Sequence, residues 1–306
     1  IRSYGSPLYI YSKGLIETNW GLFKKSFGDH PHLICYAVKA NSNLAVLSIL
    51  AKLGSGFDIV SLGELERVIA AGGDAKKCVF SGVAKDEISI QKALEYGIYC
   101  FNVESEDELD RIEFVASSMN AVAPISVRVN PNVDANTHPY ISTGLAENKF
   151  GVDADVALSM YKKAALSDSL KVCGLDYHIG SQITEIAPFI EALERALELV
   201  EKLKSENILV EHLDIGGGVG VSYDDEKIIN IEKILLLTAI RQIESNTVYL
   251  INGPGHLRHL KHLLKNENVG FFYRDRVWSM VKGEKKRMNS NDREIFKKTK
   301  PKLIEF

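Results

Sequence analysis

The sequence predicts an α/β protein whose main body is a closed (β/α)8 barrel. Three observations carry this. Short apolar runs rich in β-branched residues alternate strictly with helical stretches. Eight such units fit the roughly 250 residues that a barrel of this kind needs. The glycine-rich turn, Gly216-Gly217-Gly218-Val219-Gly220, follows the seventh strand-like run. An open doubly wound sheet, the next-best architecture, would carry such a turn after its first strand.

The strand-like runs are 33–38, 57–60, 78–81, 99–103, 125–129, 172–178, 210–215 and 248–251. They are apolar throughout rather than alternating, as strands covered on both faces should be. Helical patterns fill 44–53, 62–71, 87–95, 106–119, 154–166, 187–205 and 228–243. In the sixth of these, Leu193, Leu197, Val200 and Leu203 form a helical stripe. This places the barrel at residues 4–254 and leaves 255–306 as a divergent basic tail. Residues 1–226 carry a net charge of -12 and residues 227–306 a net charge of +9. Charge clusters and scattered histidines past residue 255 argue against strand alternation, so no sheet is expected there.

The 306 residues are 45% hydrophobic and 25% charged, an ordinary globular composition. No apolar run reaches the roughly 18 residues of a membrane span. The N-terminus has no signal-peptide h-region, and it opens on Ile1, so the sequence reads as part of a longer product. Cys35, Cys78, Cys100 and Cys173 have no CxxC spacing. They read as buried thiols in a reducing, cytoplasmic compartment, with no structural metal. A basic tail can bind nucleic acid, but few aromatics are interleaved with its charges, so neither a nucleic-acid nor a membrane partner is expected.

In such barrels the chemistry gathers at the C-terminal ends of the strands. Those ends carry Lys39, Asp58, Ser81, Glu104, Arg128, His178 with Ser181, and Gly216, Gly217 and Gly218. Lys39 closes an apolar run. An amine held out of bulk water loses its proton more easily and can form a Schiff base; taken alone, Lys39 reads more readily as a lysine that ends a strand in solvent, and the rest of the chain reverses that order. Arg128 lies inside an apolar run and needs an anion, for which Asp58 and Glu64 are candidates. His178 can lie flat on an aromatic cofactor, or be hydrogen-bonded structure. Ser181 and the glycine turn can hold a phosphate, or form a plain turn. Amine, imidazole and phosphate cup together point to pyridoxal phosphate. A Schiff-base aldolase without cofactor would not need His178 and Ser181 beside the glycines.

Tyr36-Ala37-Val38-Lys39-Ala40-Asn41 resembles the lysine motif of the fold-type III pyridoxal-phosphate enzymes, the alanine racemase and ornithine decarboxylase group. His178-Ile179-Gly180-Ser181-Gln182 and the stretch from Val129-Asn130-Pro131 through Thr137-His138-Pro139-Tyr140 to Asn148-Lys149-Phe150-Gly151 resemble the diaminopimelate decarboxylase family. The resemblance implies pyridoxal 5'-phosphate on Lys39, His178 stacked on its ring, and its phosphate held by Ser181 and Gly216, Gly217 and Gly218. It implies that Arg128 and Asp58 orient the cofactor's surroundings, and that meso-diaminopimelate is decarboxylated to lysine by a homodimer. After the eighth strand the family pattern Glu-Pro-Gly-Arg is replaced by Gly253-Pro254-Gly255-His256. The family's cysteine loop and C-terminal β-domain are missing or replaced. The alternative is therefore a non-catalytic barrel that still binds the cofactor.

Overall fold

The computed structural model describes residues 3–27, 31–133, 150–221, 248–252, 269–273, 276–281, 284–287 and 302–303, the last five segments through their backbone alone. By its internal contacts the chain forms two compact units. One is Glu17–Pro254; the other joins Ile1–Ile16 with Gly255–Phe306.

The larger unit is the expected barrel. Its strands are β2 (His32–Ala37), β3 (Gly56–Ile59), β4 (Cys78–Phe80), β5 (Cys100–Val103), β6 (Ala123–Arg128), β7 (Leu170–Asp176), β8 (His212–Asp214) and β9 (Val248–Asn252). All neighbouring pairs are parallel, and β9 closes the ring onto β2 with Cys35 opposite Asn252. The helices are α1 (Lys13–Phe27), α2 (Leu44–Lys52), α3 (Leu62–Ala70), α4 (Glu87–Tyr96), α5 (Glu106–Ser118), α6 (Ala154–Ala165) and α7 (Ala187–Ser205). Six of the seven predicted helices match α2 to α7 within two residues; the helix expected over 228–243 lies outside the described residues. Their starts are written into the sequence. Asn43, Ser61, Asp86, Ser105 and Asp153 each accept a backbone N–H of the first helical turn, which satisfies a donor that the helix itself leaves open.

The interior changes character along the barrel axis. Cys35, Val79, Cys100 and Cys173 cluster in the core, and His212 lies 3.8 Å from Cys100 Sγ. All four cysteines are buried, and burial pushes the Cys78 thiol up to about 12. Cys100, Cys173 and His212 bring three ligand-type atoms within 4.8 Å of one another. Both thiols are instead hydrogen-bonded, Cys173 to the Ile125 carbonyl at 3.1 Å and Cys100 to Asn102 Oδ1 at 3.6 Å. Two residues further along the strands, Asn102 and Asp214 face the same interior and are hydrogen-bonded at 3.2 Å. Between these inward residues Phe57, Phe80, Phe101, Val103 and Leu213 are buried, as alternation on a doubly covered strand requires.

The smaller unit corrects one expectation. β10 (Val269–Tyr273), β11 (Arg276–Val281) and β12 (Glu284–Arg287) form an antiparallel sheet, and β1 (Leu8–Tyr9) pairs in parallel with β13 (Lys302–Leu303). Residues past 255 therefore do form strands. Val-Gly-Phe-Phe-Tyr and Arg-Val-Trp-Ser-Met-Val are rich in β-formers, and they pair with Tyr273 opposite Arg276. The surrounding charges do not prevent pairing, because an antiparallel sheet can keep one face in water.

Gly174 in β7 shows how tightly the interior is filled. A Cβ there would overlap the His212 imidazole. Gly174→Ala is expected to lower stability in urea unfolding by about 1–3 kcal/mol, the usual cost of overpacking. A change below about 0.5 kcal/mol would show that the imidazole can move aside.

Candidate active site

Lys39 leaves β2 in a short 3-10 turn, Val38–Ala40. Its Nζ lies 3.0 Å from Asp58 Oδ2 on the neighbouring strand, where Ala37 pairs with Asp58. The Lys39 side chain is 56% exposed and that of Asp58 is 1% exposed. Here the expectation of an easily deprotonated amine is overturned. The Asp58 carboxylate raises the Lys39 pKa and outweighs the opposing effect of partial burial. In this state Lys39 is an ammonium held by a buried anion.

Arg128 ends β6. Its partner is neither Asp58 nor Glu64, as the sequence suggested. Its NH1 donates to Glu104 Oε1 at 3.2 Å, its Nε stands 4.0 Å from Asp176, and its guanidinium lies over the Phe150 ring at 5.3 Å. Glu64 instead accepts the backbone N–H of Val60 at 2.8 Å. Three buried atoms at these strand ends make no hydrogen bond: Asp58 Oδ1, Glu104 Oε2 and Arg128 Nε. Leaving such groups unpaired is costly, so they mark a place where a polar ligand would complete the site.

His178 and Ser181 follow β7, and the glycine turn follows β8. Burial, then the positive charges of Arg128 and Lys39, depress the His178 pKa to about 3, so the ring is neutral near pH 7. Ser181 is exposed. Gly216 N donates to Asp214 Oδ1 at 2.9 Å, and Gly217 N to His178 Nδ1 at 3.3 Å. Gly216 and Gly218 have φ of 67° and 90°. A Cβ on Gly216 would stand 2.5 Å from the Tyr177 carbonyl oxygen, and one on Gly218 would overlap the Gly180 carbonyl oxygen. The glycines thus let the two loops touch, and Ile183 N closes the contact on Gly218 O at 2.9 Å.

The sequence reading missed the inward carboxylates beneath these loops. Burial and the nearby Asp214 push Asp176 well above the usual carboxylate range, and burial pushes Asp214 up to about 7. Asn102 bridges Asp214 to the mouth, donating to Asp214 Oδ2 and Ser81 Oγ at 3.2 Å each. The available signal was strand alternation: Asp176 and Asp214 lie two residues before His178 and Gly216.

Residues 13–257 match the family model described as "Pyridoxal-dependent decarboxylase, pyridoxal binding domain". The chain belongs to the pyridoxal-dependent decarboxylase family. The family's cofactor is pyridoxal 5'-phosphate, and the donor set fits it: an amine, an arginine, a neutral imidazole and unpaired buried polar atoms meet at one mouth. The chain is 60% identical over 225 residues to diaminopimelate decarboxylase of Vibrio cholerae, covering 74% of this chain and 54% of the relative. It is 49% identical over 273 residues to that of Pseudomonas aeruginosa, covering 85% and 66%. The crystal structure of diaminopimelate decarboxylase from Helicobacter pylori complexed with L-lysine superposes with a TM-score of 0.79 at 42% identity, covering 82% of this chain and 64% of that one. The chain thus spans about half the length of the Vibrio cholerae relative. No helix among the described residues is long and apolar enough to cross a membrane.

The Asp214 shift has a testable consequence. A carboxyl raised on folding contributes stability that is complete below its unfolded pKa, about 3.9, and is lost as pH rises through its folded value. Compared with Asp214→Asn in urea unfolding, the native chain should lose relative stability between about pH 4 and pH 7 and no further above that. A difference that stays constant across this range would show that Asp214 titrates normally.

Proposed function

We propose that this chain is the cofactor-binding part of a diaminopimelate decarboxylase, a lyase of lysine biosynthesis that releases CO2 from meso-diaminopimelate. The observation that carries this is the Lys39–Asp58 pair at the barrel mouth, with Arg128 and His178 within electrostatic reach. The identity to named diaminopimelate decarboxylases supports the substrate class. When bound, the cofactor takes up the electron pair left by a departing carboxylate.

The chain's own groups divide the work. Lys39 would hold the cofactor, for which its amine must shed a proton. Asp58, 3.0 Å away, keeps that proton at Nζ until the cofactor arrives. His178, neutral near pH 7, would lie against the cofactor's ring, and Ser181 with Gly216, Gly217 and Gly218 would hold its phosphate. Since Gly216 N and Gly217 N are engaged by Asp214 and His178, Ser181 is the more direct donor. Arg128 supplies a fixed cation. The cofactor-binding barrel is assigned to Glu17–Pro254 rather than to 4–254, with Ile1–Ile16 going with the segment Gly255–Phe306. The protein acts in the cytoplasm as a homodimer. Because Gly253 and His256 replace the Glu and Arg of the family pattern, cofactor binding is expected to outlast efficient turnover.

Borohydride reduction of the cofactor-loaded protein, followed by peptide mapping, should label Lys39; label on another lysine overturns the assignment. CO2 release from meso-diaminopimelate should be weak and abolished by Lys39→Ala. Release that survives Lys39→Ala sinks the proposed reaction, while full cofactor binding without release favours the non-catalytic barrel. Ser181→Ala should narrow the preference for pyridoxal phosphate over pyridoxal by about 10-fold or more, the worth of one hydrogen bond to a charged group. An unchanged preference removes Ser181 from the phosphate site.

A further inference from the structure

The loop after β4 contains a lysine that the site described above does not use. The Lys85 side chain is 0% exposed. It donates to the Gly82 carbonyl at 2.5 Å, the Asn102 carbonyl at 2.8 Å and Glu108 Oε1 at 2.5 Å. The three donors of the ammonium therefore each have an acceptor. Glu108 lies in the first turn of α5, where its backbone N–H is capped by Ser105 Oγ at 3.2 Å. Its other oxygen, Oε2, accepts the backbone N–H of Glu104 at 2.7 Å.

Glu104 is the residue that holds Arg128. Its side chain is 1% exposed, and its Oε1 accepts from both Arg128 NH1 and the Gly82 N–H, the latter at 2.9 Å. Gly82 is thus gripped at both ends, by Glu104 at its N–H and by Lys85 at its carbonyl. Two loops and the α5 start are tied into one unit whose outward end is the Arg128 guanidinium.

A comparison within the chain shows what Lys85 adds. Ser61 and Glu64 form the same turn before α3: Ser61 Oγ caps Glu64 N at 3.2 Å, and Glu64 accepts from Val60 N at 2.8 Å. Glu64 is only partly buried, whereas Glu108 is 4% exposed and bonded to Lys85. A carboxylate buried that deeply stays charged only beside a cation.

We propose that Lys85 and Glu108 are positioning residues for the cofactor site: the buried pair fixes the Glu104 backbone, and Glu104 in turn aims Arg128 at the cofactor. This rests on the role assigned to Arg128 above. Neither residue is placed in contact with cofactor or substrate. Their effect runs through the Glu104 N–H.

The test compares two charge-free double variants of the full chain. Lys85→Met/Glu108→Gln keeps an acceptor for the Glu104 N–H. Lys85→Met/Glu108→Leu removes it at similar volume. The readouts are the Arg128 Nε–Hε resonance in 15N-labelled protein without cofactor, and the Kd for pyridoxal phosphate. The Gln variant should keep the native Arg128 resonance and a Kd within about 3-fold of native. The Leu variant should shift that resonance and weaken binding about 10-fold or more, the scale of one lost positioning hydrogen bond. Native behaviour in both variants, or equal loss in both, overturns the proposal. If the native chain binds no pyridoxal phosphate, the site reading falls, and the Arg128 resonance still decides whether the clamp exists.

Discussion

Charge gathered at the rim of a closed barrel has to be neutralised across strands, because the carboxylates there are held where little water can reach them. Lys39, Arg128 and Lys85 meet this demand in different ways, and the differences sort them by task. Lys85 is fully enclosed and bound to one carboxylate and two carbonyls. Removing one partner of such a pair leaves an uncompensated buried charge, at a cost of about 3–5 kcal/mol. Lys39 is paired with an equally buried aspartate but is itself half in water. Its amine can therefore be reached from solvent, whereas the Lys85 amine cannot. That makes Lys39 available for chemistry and Lys85 suited to structure.

The same demand explains the glycines. Asp214 sits at the end of β8 with its carboxyl sealed inside, and the backbone N–H of Gly216 supplies one of its hydrogen bonds. Reaching that geometry takes a positive φ at Gly216, and it brings the turn against the Tyr177 carbonyl. A side chain would force the two loops apart and open Asp214 to water. The turn therefore serves the buried carboxyl below it before it serves any ligand above it.

The barrel was legible because eight doubly covered strands are written as continuous apolar runs that alternate with helical stretches. The site was legible as a set of strand ends. Its pairings were not. Arg128 chooses Glu104 over Asp58 because of where the neighbouring strand ends stand, and residue type alone carries no such information. The Lys39 pKa went the other way from its apolar context for a similar reason. Alternation puts Asp58 on the inner face beside it, and one carboxylate at 3.0 Å outweighs partial desolvation. In the tail, net charge masked two runs of strong β-formers, and local propensity proved the better guide.

Two serine–glutamate turns, at Ser61 and Ser105, stand behind Asp58 and Glu104 respectively. Each glutamate reaches back past its own cap to the backbone N–H of the strand's exit residue, so the start of a helix sets the angle at which a strand leaves the barrel. Asp58 and Glu104 are in turn the anions that hold Lys39 and Arg128. The positions of both cations are thereby fixed from the helical layer outside the sheet. Burial of the second glutamate is what distinguishes the two turns. It makes that turn dependent on Lys85, and it ties the setting of Arg128 to a lysine in a different loop.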